Sequence, residues 1–121
     1  MRMFAAALAL PLAASATADV PDDPLRFDVQ CLIATGHVAR SGATEHRAAA
    51  RSASIYYLGR LDGRGQTFDL EASLLAEAAA LRGQDGGDLL RACGQLMVRR
   101  GAEVQAIGAR VLARERAAPA R

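Results

Sequence analysis

Residues 88–115 read DLLRACGQLMVRRGAEVQAIGARVLARE, and this stretch decides the fold class. Leu90, Met97, Val104 and Val111 return every seven residues, with Cys93 and Ile107 as a partial second row. At 3.6 residues per turn such a repeat falls on one stripe of a long helix, whereas a strand would alternate with period two. Gly94, Gly101 and Gly108 keep the same period beside the seam. Each costs about 1 kcal/mol relative to Ala inside a helix, so three in register ask for a reason. The reading adopted is a groove where a neighbouring helix backbone lies close; a kinked or divided helix is the competing account. Arg91, Arg99, Arg100, Arg110 and Arg114 interrupt the segment and argue against a membrane-buried seam.

Working back from this helix, Gly83-Gln84-Asp85-Gly86-Gly87 is a break. Before it, Thr67 or Asp69 caps a third helix whose apolar positions are Leu70, Leu74, Ala78 and Leu81, with Glu71 and Glu77 expected to face water. A second helix is predicted from about Thr44 to Leu61, its buried stripe made of Ala48, Ser52, Ile55 and Gly59 with Leu58 alongside. Asp62-Gly63-Arg64-Gly65 ends it, with Gly63 placed as a left-handed C-cap. The first helix starts at the capping pair Asp22-Asp23 and Pro24, and runs to about Ala39 before Ser41-Gly42. Leu25, Val29, Leu32 and Ile33 form its apolar face, with Cys31 at the edge. Four helices joined by short loops predict an all-α, compact four-helix bundle.

What precedes the first helix reads as an export signal. Arg2 supplies a charge, Phe4 to Ala14 is an apolar run, and Ala16-Thr17-Ala18 is a small-x-small cleavage site. The predicted organisation is a signal peptide at 1–18, a helical domain at 19–116 and a frayed tail at 117–121. A periplasmic, oxidising location follows, with no span in the mature chain, since the apolar run is shorter than the about 20 residues a spanning helix needs.

Removing 18 of 121 residues leaves 103, enough for a modest core that a covalent staple would help. The formal charge of the whole chain is only +2, which argues against a nucleic-acid partner. All the cations of the sequence are Arg, and aromatic residues make up 4%, so Ala, Leu and Val must form the core by close helix packing. Cys31 and Cys93 allow a single intramolecular pairing, joining the first and last helices. Two buried free thiols are the alternative, and a catalytic thiol a more distant one, because neither Cys has a partner in sequence that would lower its pKa.

Motifs for chemistry are sparse. His37 and His46 flank the Ser-Gly turn, with Glu45 adjacent; they read as two solvated histidines rather than a metal site, for no H-x-x-x-H or H-E-x-x-H accompanies them. Ser52, Ser54 and Ser73 lack a nucleophile elbow, and the glycine clusters lack the Lys and strand of a phosphate loop. No catalytic residue, cofactor or metal is assigned, and a small hydrolase or metal-dependent enzyme is kept only as a rival. The most distinctive local sequence is Tyr56-Tyr57-Leu58-Gly59-Arg60-Leu61-Asp62-Gly63-Arg64. Tyr and Arg are enriched at binding hot spots, so Tyr56, Tyr57, Arg60, Asp62 and Arg64 form a candidate interaction surface for a protein partner. The competing account gives one Tyr to the core and pairs the arginines with Asp62 or the last carbonyls.

On this block, the leader and the placement of Cys31 and Cys93, the chain resembles small exported helical proteins of Gram-negative bacteria, a resemblance that implies no activity. A second resemblance, resting on the two cysteines, size and helicity, is to the HdeA-type acid-stress chaperones. It implies a disulfide-stapled periplasmic protein that binds unfolding clients when acid loosens it. Those chaperones are rich in Lys, whereas this chain has none, and no client-binding residue carries over. The expected function is non-enzymatic binding or interaction in the periplasm, with an acid-responsive chaperone as alternative.

Overall fold

Asp23 starts the first helix as its position predicts. Its carboxylate accepts a hydrogen bond from the Arg26 N–H at 3.0 Å, and Pro24 occupies the first turn. In the computed structural model, which describes residues 22–65 and 68–120, four helices follow in order: α1 Pro24–Ser41, α2 Thr44–Asp62, α3 Leu70–Leu81 and α4 Gly87–Ala117. No strand occurs among the described residues, and no helix among them is long and apolar enough to cross a membrane. The leader and its cleavage site lie outside the described residues, as does Thr67. Asp69 caps α3, accepting from the Ala72 N–H at 2.9 Å.

Helix α1 is the hub: α2, α3 and α4 each pack on it. A disulfide ties Cys31 of α1 to Cys93 of α4, with Cα atoms 5.8 Å apart and a sequence separation of 62 between the two half-cystines. Closing a loop of that length stabilises by about 4 kcal/mol on the chain-entropy account. Both half-cystines and Tyr57 are fully buried and form the core, with Phe27, Leu32, Leu89, Leu96 and Met97 packed around them. A covalent bond at the centre substitutes for the apolar bulk that an Ala-rich chain lacks.

Three predicted details are corrected. Helix α2 buries Ala50, Ala53, Tyr57 and Leu61, not the stripe of Ala48, Ser52, Ile55 and Gly59; Ile55 is 71% exposed. The buried face lies on the other side of the helix because Tyr57 and Leu61 together remove far more apolar area from water than Ile55 with three small residues. Gly63 is right-handed (φ −70°), and the left-handed turn falls instead on Gly65 (φ +61°). Glu77 does not face water: it accepts from Arg26 Nε at 2.9 Å and from Gln30 Nε2 at 2.8 Å, fastening α3 to α1.

The largest departure concerns α4. It is one continuous helix of 31 residues, without division at its glycines. Among the described residues, a Cβ placed on Gly94, Gly101 or Gly108 would meet nothing within 4 Å, so they form no groove of the expected kind there. The reason is length. Thirty-one residues span about 46 Å, while the 18 of α1 span about 27 Å, so α4 outruns the body it packs on. Its first turns are seated through Leu89, Cys93, Leu96 and Met97; from Val98 onward every described residue is exposed.

Candidate functional site

The Tyr56–Arg64 block is divided: Tyr57 and Leu61 are buried, Tyr56, Arg60 and Arg64 are half-buried, and Leu58, Gly59, Asp62 and Gly63 are exposed. Tyr57 has no solvent exposure, and its hydroxyl donates to the Cys93 carbonyl at 2.6 Å. Its ring meets Phe27 edge-on at 6.4 Å and Tyr56 edge-on at 5.1 Å. Burial pushes its phenol well above the usual tyrosine range, with the charges of Tyr56 and Asp28 acting in the same direction. Tyr56 is half-buried beneath the Arg60 guanidinium, 5.8 Å from its ring centroid. Adjacent helical residues point about 100° apart, so the second ring takes the flank of the core where the first takes its centre.

The two arginines of the block clamp a buried carboxylate. Arg60 Nε donates to Asp28 Oδ1 at 2.9 Å, and Arg64 Nη2 donates to Asp28 Oδ2 and, at 3.1 Å, to the Pro24 carbonyl. Asp28 is fully buried, whereas the arginine side chains remain 29% and 26% exposed. Burial disfavours the charge on Arg60, but the hydrogen bond and charge of Asp28 outweigh it and hold that guanidinium above its ordinary pKa. Asp62 alone of the five candidates is exposed, at the helix end. The block therefore fastens α2 onto α1.

Asp28 is the residue that sequence reasoning missed. It stands one position before Val29 on the apolar side of α1, and a lone acid there asks for a cation. Arg60 and Arg64, four apart and thus on one face of α2, are the matching signal.

The other candidates are scattered. His37 lines a groove beside the α3–α4 turn and His46 one between α2 and α4, both exposed. Among the described residues no group of three or more His, Cys, Asp or Glu side chains is placed to hold a metal ion. The Ser54 hydroxyl lies 3.0 Å from Thr35 Oγ1 and 2.9 Å from the Ala50 carbonyl, a helix-to-helix contact. What remains free is the second half of α4. From Val98 to Ala117 it projects about 30 Å, and Val104, Ile107, Val111 and Leu112 along it are each about half exposed or more. Searches against family models, curated proteins and solved structures find no match to this chain.

The asymmetry of the clamp has a measurable consequence. Arg60→Ala with Arg64→Ala leaves a buried carboxylate uncompensated and should cost about 3–5 kcal/mol in urea unfolding. Asp28→Asn strands only arginines that can turn to water, and should cost about 1–2 kcal/mol. An equal loss from the two would contradict the clamp.

The raised Tyr57 phenol carries a second expectation. A group whose folded pKa lies above its unfolded value contributes stability that is complete below the unfolded pKa and is lost as pH rises past it. Stability should therefore fall above about pH 10, where an unfolded tyrosine ionises. Tyr57→Phe should lose about 1 kcal/mol at neutral pH and show a flatter alkaline decline; parallel declines would refute the assignment.

Proposed function

We propose that this is an exported periplasmic protein with a non-enzymatic role, which works by presenting a helix to another protein. The observation that carries the reading is the uncovered stripe of α4. Val104, Ile107 and Val111 follow at spacings of three and four, the anchor pattern of helix-in-groove recognition. Exposed apolar rows of this kind mark interaction surfaces in soluble proteins. Gly101 and Gly108 fit the same reading. With open space before them, they offer an incoming chain a closer approach than any side chain would allow. The polar side chains that might have served catalysis are spent elsewhere: Asp28, Arg60, Arg64, Tyr57, Thr35 and Ser54 all make structural bonds.

A photo-crosslinking residue at Ile107 should give a discrete adduct in living cells, and the same probe at Arg91, on the seated part of α4, should not. Gly108→Leu should weaken the adduct without lowering the melting temperature. Equal labelling at both positions, or none at Ile107, removes the reading.

One observation favours an acid-responsive chaperone within the same class. The ionic tie between α1 and α2 converges on one buried carboxylate, Asp28, which Arg60 and Arg64 hold from α2 and the residues just after it. The expected sign is uptake of an apolar dye at about pH 3 together with suppressed client aggregation. Dye exclusion at that pH rules this version out.

A further inference from the structure

A second surface, apart from α4, has the polarity of a head-and-tail ligand site. The pairs Ser54–Thr35 and Arg60–Asp28 set α2 antiparallel to α1. Beside this pair α3 also packs on α1, and between α2 and α3 an open groove of about 1020 Å³ runs over the α1 surface. Its floor is Leu32 and Ile33, and its walls carry Ile55 and Leu58 on one side and Leu74 and Leu75 on the other. Ile55, Leu58 and Leu75 are large apolar side chains left exposed, Leu75 by 67%. Leaving them in water is unfavourable, and an occupant of the trough would cover them.

The charge in this groove sits at one end. The antiparallel register brings Arg40, in the last turn of α1, beside Arg47 and Arg51 of α2, and all three line the groove. Arg47 Nε donates to the Gly42 carbonyl at 2.8 Å, which steadies that side chain. None of the three meets a carboxylate among the described residues, although Arg26, Arg60, Arg64, Arg91 and Arg100 each do. Every α3 residue in the lining is apolar, and Ser54 is engaged with Thr35. Guanidinium groups recognise carboxylate through charge-assisted, often bidentate hydrogen bonds.

We propose that this groove binds a long-chain fatty acid, its carboxylate held by Arg40, Arg47 and Arg51 and its acyl chain lying along the trough toward Leu58. The distance along α2 from Arg47 to Leu58 is about 16 Å, a span suited to an extended acyl tail. An acidic amphipathic helix fits less well, since its charges would be spread along its length and not gathered at one end. The projecting half of α4 from a second copy fits worse. It carries Arg99, Arg100, Arg110, Arg114 and Arg116 against only Glu103 and Glu115, and would meet three further arginines. The inference is independent of the α4 reading.

Calorimetry with dodecanoate below its micelle concentration tests it. The protein should bind one equivalent, with a rise in melting temperature that follows ligand concentration. Arg40→Gln with Arg51→Gln, both on the surface, should weaken binding about tenfold or more. Leu58→Glu should abolish it with the helical signal intact, and Val104→Ser with Ile107→Ser should change nothing. Dodecylammonium and acetate, which carry the wrong head and no tail, should fail to bind. The proposal is overturned if dodecanoate does not bind, if the ammonium or acetate binds as well, or if the arginine variant binds normally. It is equally overturned if a Glu-rich amphipathic peptide binds and displaces dodecanoate at lower concentration, or if the protein self-associates through this face, with Leu58→Glu dispersing the dimer.

Discussion

The sulfur bridge between Cys31 and Cys93, lying against the ring of Tyr57, is the constraint on which the rest of the molecule depends. It joins the hub helix to the last one, and Tyr57 adds α2 by donating a hydrogen bond from its hydroxyl to the Cys93 carbonyl. Three helices thus meet at one buried point in a chain with few aromatic residues. Tyr57, Leu61 and Val29 are the bulkiest of the fully buried side chains, and the alanines around them can fill space but bury little area. The bridge supplies by connectivity what packing alone does not.

Around that point the helices are fastened by a few polar ties. Asp28 holds α2 through two arginines, and Glu77 holds α3 to α1 through Arg26 and Gln30. Each tie uses a carboxylate more deeply buried than its cations, with Asp28 fully enclosed and Glu77 17% exposed. The arginines reach in from the rim on long apolar stems, leaving part of their guanidinium groups in water. This arrangement limits the desolvation cost to one ion of each pair.

Much of this was legible in the residues and some was not. Asp23 before Pro24, Asp69 before Leu70 and the Gly83–Gly87 break place helix ends through local chemistry, and local chemistry survives in the fold. The single pairing open to two cysteines joined the correct helices. The buried face of α2 is not legible in its sequence because the pattern is weak: Ala, Ser and Gly recur on every side, and only the packing of Tyr57 decides which side turns inward. The adjacent tyrosines suggested a contact surface, but the core had too few rings to leave either wholly outside. The heptad of α4 does not say where its stripe packs, since period reveals that a stripe exists and says nothing of which molecule covers it. Helix length relative to α1 held that answer, and it emerges only once the body has a size.

Because α4 is pinned near one end and runs free at the other, the protein contains two regions of different cooperativity. The body unfolds as a unit around its bridge; the last five turns are exposed throughout, and such a segment is marginal in water by itself. Helicity and stability are therefore separate quantities in this chain. A spectroscopic melt that follows helix content will sum a gradual fraying and a sharp collapse, and a single transition midpoint drawn through it describes neither.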